Sequence, residues 1–342
     1  MIKVLIVDDS PTAREYLAYL INSDGSMKVV GTACDGVEAL ELAKKERPDV
    51  ITMDINMPRM NGLEATRRIM EEAPTPIVIV TASWDIRDVQ TTFITIEAGA
   101  LAVLERPKGV GYENHETAAG EFVNTVRLMS EVKVVKRHRR KDHKTASSIA
   151  PALSKNEARL VAIGASTGGP MAIRTILSKL PAAFPLPIMV VQHMASGFLK
   201  GFVDWLNNDS RLIVSIAVHG ELLREGHVYI APDGYHLGAG PDANIILSKG
   251  VPEHNLRPSA SYLFRSVASA YGKNAIGIIL TGMGRDGARE LKTMKERGAV
   301  TIAQDKESSV IYGMPGEASA LQAATYILPP EDIADMLVEL LS

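Results

Sequence analysis

Two groups of residues in this sequence have the types and spacing for chemistry. The first is acidic. Asp8 and Asp9 follow the apolar run 2–7, and Asp54 follows a second apolar run at 50–53. Carboxylates gathered this way repel one another unless a cation sits among them, and oxygen ligands with some water suit Mg2+. A carboxylate beside Mg2+ can act as a nucleophile toward a phosphoryl group. Thr81, after Ile-Val-Ile-Val at 77–80, could hydrogen-bond the phosphoryl oxygens, and a cation at the end of the next apolar run could pair with them. Any one of these aspartates alone would read as a helix cap; four such positions behind successive apolar runs argue for a shared site.

The second group is a serine, a histidine and an aspartate. Ser166 lies in Gly-Ala-Ser-Thr-Gly-Gly-Pro at 164–170, between the apolar run 160–163 and a helical pattern at 170–180. A serine on such a turn is pushed out of the sheet edge with its hydroxyl exposed. The helix start behind it supplies N–H groups and positive potential for an oxyanion. His193 follows Ile-Met-Val-Val-Gln at 188–192, and Asp286 lies just beyond Ile-Gly-Ile-Ile-Leu at 276–280. Parallel strands place these three residues on one edge, as a nucleophile, a base and an orienter require. Alone, the glycine turn could equally cradle a phosphate, and Asp286 could cap the helix that follows it. The remaining histidines His219, His227, His236 and His254 show no ligand spacing, so they point to no zinc site.

The elements that must position these groups come in two series. Val/Ile-rich runs at 2–7, 28–33, 50–53, 77–81 and 101–104 alternate with helical patterns such as 35–46, 62–72 and 114–130. That alternation predicts a parallel β/α domain ending near 131. A basic stretch follows, from Lys133 to Lys144, then serines and Pro151; it has no sustained apolar periodicity and reads as a flexible linker over 132–156. From 157 the pattern restarts and runs to 342. Strands are expected at 160–163, 188–191, 276–280 and 299–303, and helices at 170–180, 259–271, from 286, and at 331–341. Residues 227–231 and 244–248 are expected to form a hairpin. The fold class is α/β: an N-terminal (βα)5 domain and a C-terminal doubly wound, mostly parallel sheet.

Composition narrows the function classes. A length of 342 residues suits about two domains. The net charge of −3 does not commit the chain to nucleic acid or to a membrane surface. Cys34 is the single cysteine, so neither an intrachain disulfide nor a thiolate metal cluster can form. The first apolar run meets Asp8 and Asp9 too soon for a signal-peptide core, no run is long enough to span a bilayer, and a cytoplasmic setting is expected. The basic stretch could serve a DNA-binding output, but no convincing helix-turn-helix accompanies it.

Val-Asp-Asp-Ser (7–10), Met-Asp-Ile-Asn-Met-Pro-Arg-Met-Asn-Gly (53–62) and Val-Thr-Ala (80–82) resemble response-regulator receiver domains over about 1–131. The resemblance implies Asp54 as phosphoacceptor. It implies Asp9, Asp54 and the Asn56 carbonyl as Mg2+ ligands, with Asp8 acting through water. Receivers usually carry Lys before Pro at the end of the fifth strand, whereas this chain has Arg106-Pro107. The position often held by a switching aromatic falls on Val103.

Gly-Ala-Ser-Thr-Gly-Gly-Pro (164–170), Val-Val-Gln-His-Met (190–194), Leu-Arg-Pro-Ser-Ala (256–260), Leu-Thr-Gly-Met-Gly-Arg-Asp-Gly-Ala (280–288) and Gly-Met-Pro (313–315) resemble the chemotaxis protein-glutamate methylesterase family, CheB. That resemblance implies Ser166, His193 and Asp286 as a catalytic triad and the Met283 backbone N–H as oxyanion donor. It implies hydrolysis of glutamate methyl esters on chemoreceptor cytoplasmic helices, glutamine deamidation, and a chemotaxis histidine kinase as phosphodonor. It points to no cofactor for the ester chemistry and to no nucleic acid or inserted membrane segment among the partners. Arg257, near the expected cleft, could attract an acidic receptor face or serve the structure.

Overall fold

A computed structural model describes residues 1–81, 86–109, 112, 115–132, 134 and 158–340. The basic stretch from Lys136 to Lys144, Lys133 and Ala82 lie outside the described residues. The chain divides into two compact units, Met1–Ala146 and Ser147–Ser342.

In the first unit β1 (Ile2–Val7), β2 (Met27–Ala33), β3 (Val50–Met53), β4 (Ile77–Thr81) and β5 (Ala102–Glu105) form one sheet in the order β2-β1-β3-β4-β5, every described pairing parallel. Parallel strands need crossovers, and α1 (Pro11–Ser23), α2 (Gly36–Glu46), α3 (Gly62–Glu72) and α4 (Ile86–Ala98) supply them, with α5 (His115–Ser130) closing the series. The central strands are mostly apolar because helices cover both faces, and residues 4–7, 50–53 and 77–81 are all buried, Thr52 and Thr81 among them. The strand order reverses between β1 and β3. In such sheets ligands bind beyond the carboxyl ends of the strands at that switch point, which is where Asp8, Asp9 and Asp54 fall.

The second unit contains β6 (Leu160–Ala165), α6 (Gly169–Lys179), β7 (Ile188–Gln192), α7 (Leu199–Asp209), β8 (Ile213–Ile216), β9 (His227–Ile230), β10 (His236–Ala239), β11 (Ile245–Ser248), α8 (Ala260–Tyr271), β12 (Ala275–Ile279), α9 (Ala288–Glu296), β13 (Val300–Gln304), α10 (Met314–Ala320), β14 (Tyr326–Leu328) and α11 (Pro330–Glu339). Seven strands make a parallel sheet in the order β14-β13-β12-β6-β7-β9-β8. The central strands β12, β6 and β7 end side by side and deliver Ser166, His193 and the Asp286 loop to one edge.

The structure corrects the expected hairpin. Residues 227–230 form β9, a buried strand paired in parallel between β7 and β8, not half of a hairpin. The antiparallel partner of β11 is β10, with His236 opposite Ser248 and Ala239 opposite Ile245. His-Leu-Gly-Ala at 236–239 has neither the β-branched residues nor the alternation that marks a strand, so its pairing left no local signal. No helix among the described residues is long and apolar enough to cross a membrane.

The turn after β6 is fixed by close approach. Gly168 adopts a left-handed conformation (φ +80°), and a Cβ there would lie 2.6 Å from Val310 Cγ2. We expect Gly168→Ala to lower the stability of the second unit by about 1–3 kcal/mol, measured as a shift in its denaturant midpoint. An unchanged midpoint would mean that Val310 yields without cost.

Candidate active site

Asp286 is the best-anchored functional side chain. It is 2% exposed, yet its carboxylate collects four donors. Oδ1 accepts from Ser259 Oγ at 2.7 Å and the Ser261 N–H at 3.0 Å. Oδ2 accepts from the Ala260 N–H at 2.6 Å and faces His193 Nε2 at 3.0 Å. The carboxylate therefore sits on the first turn of α8, where unpaired N–H groups and the helix dipole favour a negative charge. Ser259 caps that helix by accepting from the Ser261 and Tyr262 N–H groups. Burial would raise the Asp286 pKa. The hydrogen bond and charge of His193, with the Ser261 and Ser259 hydrogen bonds, outweigh it and hold the carboxyl well below the usual range.

The capping alternative for Asp286 is thus half right. It binds a helix N-terminus, but that of α8; the cap of its own following helix, α9, is Gly287. An ionised Asp286 requires Nε2 of His193 to carry the hydrogen, which leaves Nδ1 as the ring's acceptor nitrogen.

Ser166 follows the last residue of β6. Its N–H donates to the Thr281 carbonyl at 3.0 Å, and its carbonyl accepts from the Gly169 N–H at 2.8 Å. Its side chain stands against the β12 loop, since a Cβ on Gly282 would lie 2.6 Å from Ser166 Cβ. Met283, next in the chain, is thereby placed beside the serine. Thr281 Oγ1 donates across the same turn to the Thr167 carbonyl at 3.0 Å. Ser166 is half-buried and reachable by a substrate group, while Thr281 and Gln192 beneath it are buried. Arg257 is exposed, and its Nη1 donates to the carbonyls of Lys249 and Gly250 at 3.2 and 3.1 Å.

In the first unit Asp8, Asp9 and Asp54 each bring a carboxylate oxygen within 4.8 Å of the others. Asp54 is 8% exposed. Burial, then the negative charge of Asp8, push its pKa up to about 7, against the Ile55 backbone hydrogen bond and the charge of Arg106. Asp8 is also raised, mainly by burial, although it accepts from the Ser10 N–H at 2.9 Å and pairs with Arg106 Nη1 at 2.9 Å. Three carboxylates this close, two of them with raised pKa values, fit a divalent cation. Thr81 is buried at the end of β4, Asn56 lies on the exposed loop after Asp54, and Gly62 lets that loop close, because a Cβ there would lie 2.1 Å from the Asp54 carbonyl oxygen.

Sequence reasoning missed several supporting residues. Arg14 Nη1 donates to the carbonyls of Asp8 and Asp9 at 2.6 and 3.1 Å and so holds the acidic loop. Ser259 and Ser261 hold Asp286. A serine at the first position of the helical pattern 259–271 was the available signal for Ser259; nothing local linked it to a residue 27 positions away.

The raised pKa of Asp54 has a consequence for stability. An acid with its folded-state pKa above its unfolded value favours folding while protonated. That contribution is complete below pH about 4 and is lost as the pH rises through about 7. In divalent-free buffer at pH 8 we therefore expect Asp54→Asn to raise the unfolding midpoint of the first unit by several degrees. The difference should shrink toward pH 5. Thermal unfolding across this range is the measurement, and a pH-independent difference would contradict the assignment.

Comparison with known proteins supplies the family. Residues 161–337 match CheB methylesterase, and residues 4–110 match the response regulator receiver domain. The chain is 54% identical to a protein-glutamate methylesterase/protein-glutamine glutaminase of Syntrophus aciditrophicus, covering 99% of this chain and 98% of that one. It is 55% identical to the protein of the same description from Nitrosospira multiformis, over 100% and 98%. The crystal structure of the Thermotoga maritima CheB methylesterase catalytic domain aligns with a TM-score of 0.52 at 40% identity, covering 54% of this chain and 98% of that domain. The esterase reading of the glycine turn thus prevails over the nucleotide-binding one, and the chain belongs to the CheB methylesterase family, with a response regulator receiver domain at its N-terminus.

Proposed function

We propose that this methylesterase hydrolyses glutamate 5-O-methyl esters on chemoreceptor cytoplasmic helices, releases methanol, deamidates glutamines at such sites, and is controlled by phosphorylation of Asp54. The observation that carries the chemistry is the His193–Asp286 pair, anchored on α8 at the sheet edge where Ser166 emerges. The domain limits that go with this reading are a receiver over 1–131, a linker over 132–156 and a catalytic domain over 157–342.

In the first half-reaction Ser166 Oγ attacks the ester carbonyl carbon while His193 accepts the hydroxyl proton. With Nε2 committed to Asp286, Nδ1 is the receiving nitrogen; the serine-protease template uses the opposite nitrogens. Asp286 stabilises the imidazolium that forms. The oxyanion is met by the Met283 N–H and the helix start behind Ser166. His193 then protonates the departing methoxide. In the second half-reaction water attacks the acyl-serine with His193 as base, and the glutamate carboxylate leaves as Ser166 regains its proton. For a glutamine side chain the same sequence releases ammonia. No cofactor enters this chemistry.

In the receiver, the Asp54 carboxylate attacks the phosphorus of a phosphohistidine on its phosphodonor, which we take to be a chemotaxis histidine kinase, forming an aspartyl phosphate as the P–N bond breaks and the imidazole leaves. Asp9, Asp54 and the Asn56 carbonyl would hold Mg2+, with Asp8 reaching it through water. When bound, that ion offsets the repulsion between the carboxylate and the incoming phosphoryl oxygens. Thr81 and Arg106 would contact the phosphoryl group, with Arg106 Nη1 bonded to Asp8 and its other N–H groups left to reach the new charge. Arg presents a planar fork where the family's Lys presents a point charge. The setting is the cytoplasm, with methylated receptors as substrate and no nucleic acid as partner.

Ser166→Ala should lower methanol release from methylated receptor by several orders of magnitude with little change in thermal unfolding; retained release excludes an acyl-serine route. Phosphodonor with Mg2+ should raise the esterase rate roughly 5–150-fold, as a coupling of about 1–3 kcal/mol gives. Asp54→Ala should stay at the basal rate. Equal activation of parent and Asp54→Ala would place the control elsewhere.

A further inference from the structure

The backbone ladder between β6 and β7 ends where the chemistry begins. Ala165 is opposite Gln192, and the last rung is the His193 N–H donating to the Ala165 carbonyl at 2.9 Å. Ser166 turns away, with its N–H directed to Thr281 on the other side. Beyond that rung the bridge between the two strands is a side chain. Gln192 Nε2 donates to the Ser166 carbonyl at 2.8 Å and to the His193 carbonyl at 2.8 Å. Both amide hydrogens are thus spent on the main chains of the serine and the histidine.

The arrangement is costly to build, which argues against a filling role. Gln192 is 5% exposed, and its Oε1 has no hydrogen-bond partner among the described residues. A methionine of similar size would fill the space without burying an unpaired oxygen. The neighbouring helix also accommodates the amide: a Cβ on Gly169 would lie 2.1 Å from Oε1.

We propose that Gln192 is a positioning residue for the ester hydrolysis, a clamp that sets the spacing of Ser166 and His193 by tying their carbonyls to one amide group. This rests on the reading of Ser166 as nucleophile and His193 as base. Gln192 touches neither substrate nor reacting atoms. It acts through the two backbones, and a displacement of about 1 Å between reacting groups can cost on the order of 100-fold in rate.

The test uses the full chain with Gln192→Met, which removes both donors at similar volume, and Gln192→Glu, which keeps the shape but sets a carboxylate against two carbonyls. Methanol release from methylated receptor gives kcat and KM. Labelling of Ser166 by a fluorophosphonate reports its reactivity without receptor binding. We expect kcat and the labelling rate to fall together by about 10–100-fold in Gln192→Met, and further in Gln192→Glu, with KM within about twofold of the parent. A folded Gln192→Met with kcat within about threefold of the parent overturns the clamp, as does a rise in KM that matches the fall in kcat/KM. If neither variant folds, Gln192 is a core residue and the proposal fails. Ser166→Ala is measured alongside. Methanol release by that variant would sink the triad reading, and the clamp with it. A silent Ser166→Ala beside unimpaired Gln192 variants would sink the clamp alone.

Discussion

The candidate active site depends on one buried carboxylate being kept charged. Asp286 is excluded from water, and a lone ion there would neutralise itself by taking a proton. It stays ionised because two N–H groups from the first turn of α8, the Ser259 hydroxyl and the His193 ring all point at it. Three of these four donors belong to a segment that carries none of the reacting groups. The orientation of His193 is therefore set by the packing of α8 on the central strands, and α8 contributes Leu263, Phe264 and Val267 to the same core as β6 and β12. Stability and catalytic geometry are coupled here through a single side chain.

The two units show the same residue type driven in opposite directions. Asp54 and Asp286 both lie at the carboxyl edge of a parallel sheet, and both are largely buried. Asp286 is oversupplied with donors, so its pKa falls. Asp54 faces Asp8 and Asp9 with a backbone hydrogen bond and a more distant Arg106 in compensation, so its pKa rises. Burial is common to both, and the count of donors against neighbouring negative charges decides the sign. A carboxylate fully satisfied by the protein orients another group. One left short of positive charge is suited to a cation and an incoming phosphoryl group.

Much of this was legible in the sequence, and the limit has a physical form. Strands β1, β3 and β4 announce themselves through apolar runs, and helices α2 and α3 through helical periodicity at 35–46 and 62–72. The parallel topology then places Ser166, His193 and Asp286 on one edge without further information. What the sequence conceals are contacts between residues whose local patterns are silent. The β10–β11 pairing is hidden because His-Leu-Gly-Ala carries no strand signal, and the Gly and Asp residues between 231 and 244 make β9 look like half of a hairpin with β11 when it pairs with β7 and β8. Ser259 to Asp286 and Arg14 to the Asp8 and Asp9 carbonyls are tertiary hydrogen bonds with no periodicity to betray them.

The glycines around Ser166 explain why the motif reads as small residues rather than as polar ones. A Cβ on Gly164 would lie 2.7 Å from Ala260 Cβ, and one on Gly287 would lie 2.9 Å from Phe264. A Cβ on Gly282 would strike Ser166 itself. These positions mark where α8, the β12 loop and the serine turn come together, and the contacts at Gly164 and Gly287 bring α8 close enough for its first N–H groups to reach Asp286. Adding a methyl group at either position would push α8 outward and lengthen the hydrogen bonds that keep the carboxylate charged. Glycine is needed here because α8, the β12 loop and the serine turn meet by close main-chain approach, and the first turn of α8 thereby reaches the Asp286 carboxylate.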